Sequence, residues 1–148
     1  MPKLGFKMSL VFVMGLLLIA TLLLYPFETT VVPEWRIHVS DQNGKSMRGI
    51  PIREVWSNYL IESHDHEEDL LTDADGYITF PRRTIKANFL VRIVKTTINK
   101  LNVHGGSGPT AYLLVIGDYS AATDEPYYVP GRSLATQIVV RPPGASAP

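Results

Sequence analysis

The stretch "LLTDADGYITF", Leu70–Phe80, sets two aspartates and a glycine ahead of an alternating apolar run. It can be read as a calcium loop, as an acidic catalytic site or as a corner between strands. An EF-hand loop needs oxygen ligands at positions 1, 3, 5 and 12 and glycine at position 6. With Gly76 at the sixth position, Leu71 falls at the first and Arg82 at the twelfth. An aliphatic side chain and a cation cannot ligate calcium. A corner fits better, since aspartate bonds its own backbone and glycine accepts positive φ. "LLTD" and "YITFP" then read as short strands meeting in a hairpin at Asp73–Gly76.

Upstream, "WRIHVS" (Trp35–Ser40) sets Trp35, Ile37 and Val39 against Arg36, His38 and Ser40. That period of two marks a half-buried strand. Asn43-Gly44 supplies positive-φ residues for a tight turn. "GIPIREVWSNY" (Gly49–Tyr59) is rich in strand formers, with Pro51 pointing to an edge or a bulge. "ESHDHEED" (Glu62–Asp69) reads as polar loop. Downstream, "TAYLLVIG" (Thr110–Gly117) is apolar on both faces, hence central, and "LATQIVVR" (Leu134–Arg141) is the last strand before a loose tail, 142–148. Between these β segments, Ile85, Phe89, Leu90, Ile93, Val94, Ile98 and Leu101 recur every three or four residues. The stripe predicts an amphipathic helix over Thr84–Leu101, capped by Thr84. The β-rich "FLVRIV" leaves a strand at Phe89–Val94 as the competing reading. Six or seven strands with one inserted helix make a mainly β fold, an antiparallel β-sandwich over 35–141.

The amino-terminal segment has another character. Lys3 and Lys7 lead into Met8–Tyr25, 18 residues without a charge, about 27 Å as a helix and close to the bilayer's hydrocarbon thickness. The run is longer than a signal peptide's apolar region, and no A-x-A-like site follows it. It reads as an uncleaved transmembrane signal-anchor. Residues 26–34 form a linker that Pro26 opens. Glu28 and Glu34 precede Arg36, so the positive-inside rule places residues 1–7 in the cytoplasm. Everything from residue 28 is then extracytoplasmic, in the periplasm where the cell has two membranes. Removing Lys3 and Lys7 from 14 basic residues leaves 12 against 14 acidic, a net −2 for the exported part. That balance gives no case for nucleic acid. With no cysteine in 148 residues, disulfides and thiolate chemistry are excluded.

"IHVSDQNGKSMRGIPIREVW" followed by "TDADGYITFP" resembles the carboxypeptidase regulatory-like domain, a transthyretin-like β-sandwich. Asp41, Gly44, Gly49, Thr72, Asp73, Gly76 and Phe80 occupy the family's motif positions, over residues 35–81. The resemblance implies an accessory or binding module without catalytic activity or cofactor. A related fold hosts hydroxyisourate hydrolase, whose chain ends in Tyr-Arg-Gly-Ser. This chain ends "GASAP" and carries "GRS" internally at 131–133, so that activity is not carried over.

Three constellations remain. "HDHEED" places His64 and His66 around Asp65, where two imidazoles and a carboxylate suit a transition metal. A solvated loop accounts for the same residues, and a small hydrolase using His64, His66 and His104 is the enzymatic alternative. "VHGGSGP" begins like a nucleophile elbow but has Pro109 where glycine is needed. Charge is also segregated: seven acidic and no basic residues from Glu62 to Asp75, then six basic and no acidic ones from Arg82 to Lys100. The two stretches partly complement one another within the fold. Alternatively, Arg82, Arg83, Lys86, Arg92, Lys95 and Lys100 present a surface for anionic lipid or an acidic protein. A structural subunit of an envelope complex is a further reading.

Overall fold

In chain order the computed structural model runs α1 (Lys3–Leu24), β1 (Phe27–Val32), β2 (Trp35–Asp41), β3 (Pro51–Asn58), β4 (His66–Leu71) and β5 (Tyr77–Phe80). There follow β6 (Arg83–Ala87), α2 (Phe89–Leu101), β7 (Pro109–Val115), β8 (Ser120–Ala121), β9 (Tyr127–Tyr128) and β10 (Gln137–Arg141). The structure describes the backbone of residues 3–101 and 108–142, and side chains of 9–98 and 108–142. Two four-stranded sheets, ordered β5-β2-β10-β8 and β4-β3-β7-β9, are joined by a two-stranded ribbon, β1-β6. The protein is mainly β, with more strands than the six or seven expected.

Alternation in β2 works as the sequence predicts: Trp35, Ile37 and Val39 have no solvent exposure. They share one apolar cluster with Ile78 and Phe80 of β5 and Ile138 and Val140 of β10. Ile52, Ala111 and Leu113 enter that cluster from the other four-stranded sheet, and Val31 and Val32 from β1. Trp35 also donates its indole Nε1–H to the Ala135 carbonyl at 2.8 Å, so its polar atom is satisfied in the core. β7 is interior, as its two apolar faces require.

Several expectations are revised. Phe27–Val32, expected as linker, is a strand in register with β6 from Phe27↔Ala87 to Val32↔Arg83. Its β-branched residues suit a strand, and the completely buried Val31 and Val32 fix it to the core. The helix expected from Thr84 begins at Phe89, because Thr84–Ala87 pair with β1 and Asn88 caps α2 by accepting the Val91 N–H at 2.9 Å. The second half of the polar loop, His66–Asp69, belongs to β4. Pro51 marks no edge: β3 is flanked by β4 and β7, and Pro51, as its first residue, has no N–H to lose. Nor are the sheets wholly antiparallel, as the expected sandwich required, since β10 runs parallel to β2.

The opening corner is real, but no hairpin. β4 and β5 on its two sides lie in different sheets, so Asp73–Gly76 carries the chain from one layer to the other. Asp73 Oδ1 accepts the N–H groups of Asp75 and Tyr77 at 2.9 and 2.8 Å. The Asp73 N–H meets the Tyr77 carbonyl, and the Gly76 N–H meets the Asp73 carbonyl. Asp41–Lys45 repeats every one of these bonds: Asp41 Oδ1 accepts from Asn43 and Lys45, its N–H meets Lys45 O, and the Gly44 N–H meets Asp41 O. Only the glycines have positive φ, +80° at Gly44 and +78° at Gly76; Asn43 does not share that conformation. The Gly76 turn packs on the Gly44 turn's strand. A Cβ at Gly76 would sit 2.8 Å from the Val39 carbonyl oxygen, which leaves glycine as the residue that fits.

Candidate functional site

β3 and β4 pair in register as Ile52↔Leu70, Glu54↔Glu68 and Trp56↔His66. Strand pleat sets these three pairs on one face, the face that Ile52 turns to the core. Along this face the chemistry changes from apolar to acidic to aromatic. Glu54 has no solvent exposure. Arg83, at the start of β6, covers it: Nε donates to Glu54 Oε2 at 2.7 Å, and Nη2 bridges Glu54 and Glu68. The guanidinium also lies 4.1 Å from the centre of the Trp56 ring. Burial pushes the Glu54 carboxyl above its ordinary pKa, and Arg83 opposes that shift. Glu54 Oε1 is buried with no hydrogen-bond partner among the described residues. Its position in phase with Ile52 and Trp56 was the sequence signal for this burial.

Beyond Trp56 the face ends in a cluster of metal-binding side chains. The His66 ring stacks on Trp56, 5.4 Å between centroids and 18° between planes. His66 Nε2 lies 2.9 Å from Glu62 Oε2, and the His64 ring stands edge-on to His66 at 4.7 Å. One ligand atom from each of Glu62, His64 and His66 lies within 4.8 Å of the other two. A turn at Asn58 places Glu62: the Ile61 and Glu62 N–H groups meet the Asn58 carbonyl, Asn58 Oδ1 accepts from the Leu60 N–H, and Glu62 Oε1 takes the Asn58 N–H at 3.4 Å. The carboxylate expected beside the histidines, Asp65, is turned away and accepts the Tyr59 hydroxyl at 2.7 Å. That bond raises the Tyr59 pKa. Glu62 takes its place, four residues before His66 in the chain.

The basic residues do not make one surface. Arg83 is committed to Glu54 and Glu68, joining the basic and acidic stretches inside the fold. Arg82 lies 3.9 Å from Glu28. Arg92 donates to the Ala87 and Phe27 carbonyls at 3.1 and 2.7 Å, pinning α2 to the ribbon. Lys86 is exposed and Lys95 half-buried, and neither makes an ion pair among the described residues. The Lys100 side chain, and His104 with the loop to Ser107, lie outside the described residues.

α2 is amphipathic with its faces reversed. Phe89, Leu90, Ile93, Val94 and Ile98 are 44–54 % exposed, whereas Arg92, Lys95 and Thr96 are half-buried. The Phe27↔Ala87 pair sets the end of α1 beside the start of α2. α1 is apolar and exposed along Leu10–Leu24. Thr21 and Thr97 donate their hydroxyls to the carbonyls four residues back, at 2.8 Å each. Among the described residues no helix is long and apolar enough to cross a membrane; the described side chains of α1 run from Ser9 to Leu24, 16 positions.

A shallow groove elsewhere, on β2 and β5, is lined by Arg36, His38, Tyr77, Thr136 and Gln137. There Arg36 stacks 4.3 Å from the Tyr77 ring centre and His38 Nε2 lies 2.9 Å from Ser46 Oγ. Compared with family models, curated proteins and solved structures, the chain matches none.

Proposed function

We propose that the chain is a membrane-tethered, non-enzymatic binding or accessory module, with α1 crossing the bilayer and the β domain held outside the cytoplasm. The observation that carries this reading is the reversed amphipathicity of α2. A water-facing helix buries its apolar stripe against the core and exposes its polar face. α2 exposes Phe89, Leu90, Ile93, Val94 and Ile98 instead, beside the junction with α1. A bilayer covers both helices at once. Counted over all 22 residues of its backbone, six more than the 16 whose side chains are described, α1 is about 33 Å long, a length that spans with some tilt. α2 lies in the interface, and the exposed Lys86 of the neighbouring strand β6 suits anionic headgroups there. The back-bonded hydroxyls of Thr21 and Thr97 fit an environment without water to satisfy them.

The β domain fits the transthyretin-like, carboxypeptidase regulatory-like type. Its support is the pair of Asp-x-x-Gly turns at Asp41 and Asp73, with Thr72 tying both: Thr72 Oγ1 donates to Met47 O at 2.7 Å and accepts the Ile50 N–H at 2.9 Å. A fold of this kind does not fix a chemistry, so the functional reading rests on α2.

The test is full-length protein with a carboxy-terminal tag, expressed in its source cell. The reading expects it in membranes after alkaline carbonate washing, with the tag cut by protease added outside. Release by carbonate, or a tag still protected once any outer membrane has been permeabilised and the cytoplasmic membrane left intact, would overturn it.

A further inference from the structure

We infer that Glu62, His64 and His66 form a binding site for one borderline divalent transition-metal ion, of the class of zinc, cobalt, nickel or copper. The donor set excludes harder ions: two imidazoles suit this class, whereas calcium and magnesium take oxygen ligands almost alone. In a tetrahedral site with metal–nitrogen bonds of about 2.1 Å, ligand atoms stand about 3.4 Å apart. Donors already within 4.8 Å of one another stand no more than about 1.4 Å from that spacing. The closest pair, His66 Nε2 and Glu62 Oε2 at 2.9 Å, now has room for one shared proton; a metal ion takes that proton's place.

His66 and Glu62 are each held by something other than the cluster. Trp56 fixes the plane of the His66 ring by stacking, and Arg83 holds Trp56 from its other neighbour, 4.1 Å away. The Asn58 turn returns Glu62 to the start of β4. His64 stands two residues ahead of His66, the spacing at which an extended chain presents both side chains to one side. Asp65, between them, is removed by Tyr59. Three protein donors leave at least one position for water or a group from a partner, the pattern of an open rather than a closed zinc site. The pair of Glu62 and His66 serves loop closure equally well without metal, so the experiment must separate those roles.

Trp56 supplies the readout. The chain has two tryptophans; Trp35 is completely buried in the core, whereas Trp56 touches a proposed ligand. Full-length protein in detergent is titrated with cupric ion, which quenches nearby indole emission. Quenching is expected to saturate at one equivalent, reverse with chelator, and shift to higher copper concentration when zinc is present in large excess, since copper outcompetes zinc at such donors. His64→Ala, at an exposed position, and Glu62→Gln are each expected to weaken binding at least ~10-fold, as much as loss of an outer-shell partner does elsewhere. His38→Ala, outside the cluster, is expected to leave it unchanged. Circular dichroism confirms that each variant is folded. Quenching without saturation, more than one equivalent at saturation, or equal affinity in wild type and His64→Ala overturns the assignment.

Discussion

Replacing Arg83 by methionine tests the buried Arg83–Glu54 ion pair most sharply. Arg83 is 13 % exposed and Glu54 not at all, and one Glu54 oxygen already lacks a partner. Methionine keeps the packing on Trp56 but leaves the Glu54 carboxylate without its cation. Removing one partner of a buried ion pair costs about 3–5 kcal/mol, whereas replacing both with apolar residues is near neutral or stabilising. For a chain of 148 residues that predicts a fall in melting temperature of roughly 6–20 °C. The double variant, with Glu54→Leu added, should recover most of it. The assay is thermal unfolding of full-length protein in detergent, followed by circular dichroism.

The same experiment has a definite sign in pH. Glu54 has a native pKa raised above its ordinary 4.5, so the folded state binds more protons there than the unfolded chain. Stability from this group is greatest below 4.5 and falls as pH rises toward the native value. Arg83→Met should raise that upper limit and deepen the fall, and Glu54→Gln should flatten it. Comparing variants cancels the opposite contribution of Asp69, whose pKa Arg53 lowers. A loss below about 1 kcal/mol, equal at every pH, or a double variant no better than Arg83→Met, refutes the reasoning.

Two further outcomes follow from the core and its corners. Gly76→Ala should cost more than Gly44→Ala in chemical denaturation: both pay about 1–2 kcal/mol for the left-handed backbone, but only at Gly76 does the new Cβ meet Val39 O at 2.8 Å. Equal costs would deny the close packing of the two turns. Trp35→Phe removes the bond to Ala135 O and leaves a void in the core; about 2–4 kcal/mol should be lost, and a loss under 1 kcal/mol would show the indole is not anchored there.

Much of the β domain was legible in the sequence. Alternation in Trp35–Ser40, the apolar run at Thr110–Gly117 and the Asp-x-x-Gly corners each report a local constraint. β1 was hidden because its partner was hidden: Ile85 lies on strand β6 yet continues the helical stripe that starts properly at Phe89. β4 was obscured by its acidity. Glu67 and Asp69 point outward to Arg53, at 2.8 and 2.7 Å, while Glu68 faces Arg83, so polar residues occupy both faces and no apolar alternation appears. The sheet change at Asp73–Gly76 depends on long-range pairing, which a turn motif does not encode. At the candidate site the two histidines were visible, but the choice of Glu62 over Asp65 depends on the Asn58 turn and Tyr59.

The central claim is that lipid covers the apolar face of α2. Because the chain has no cysteine, a single Val94→Cys can carry an environment-sensitive fluorophore in full-length protein reconstituted into vesicles. Val94 is 54 % exposed, so nothing in the described protein shields a label there. Blue-shifted emission quenched by spin-labelled lipid at position 94, but not at position 95, is the predicted result. Emission at 94 as in water, untouched by the lipid quencher, contradicts the account.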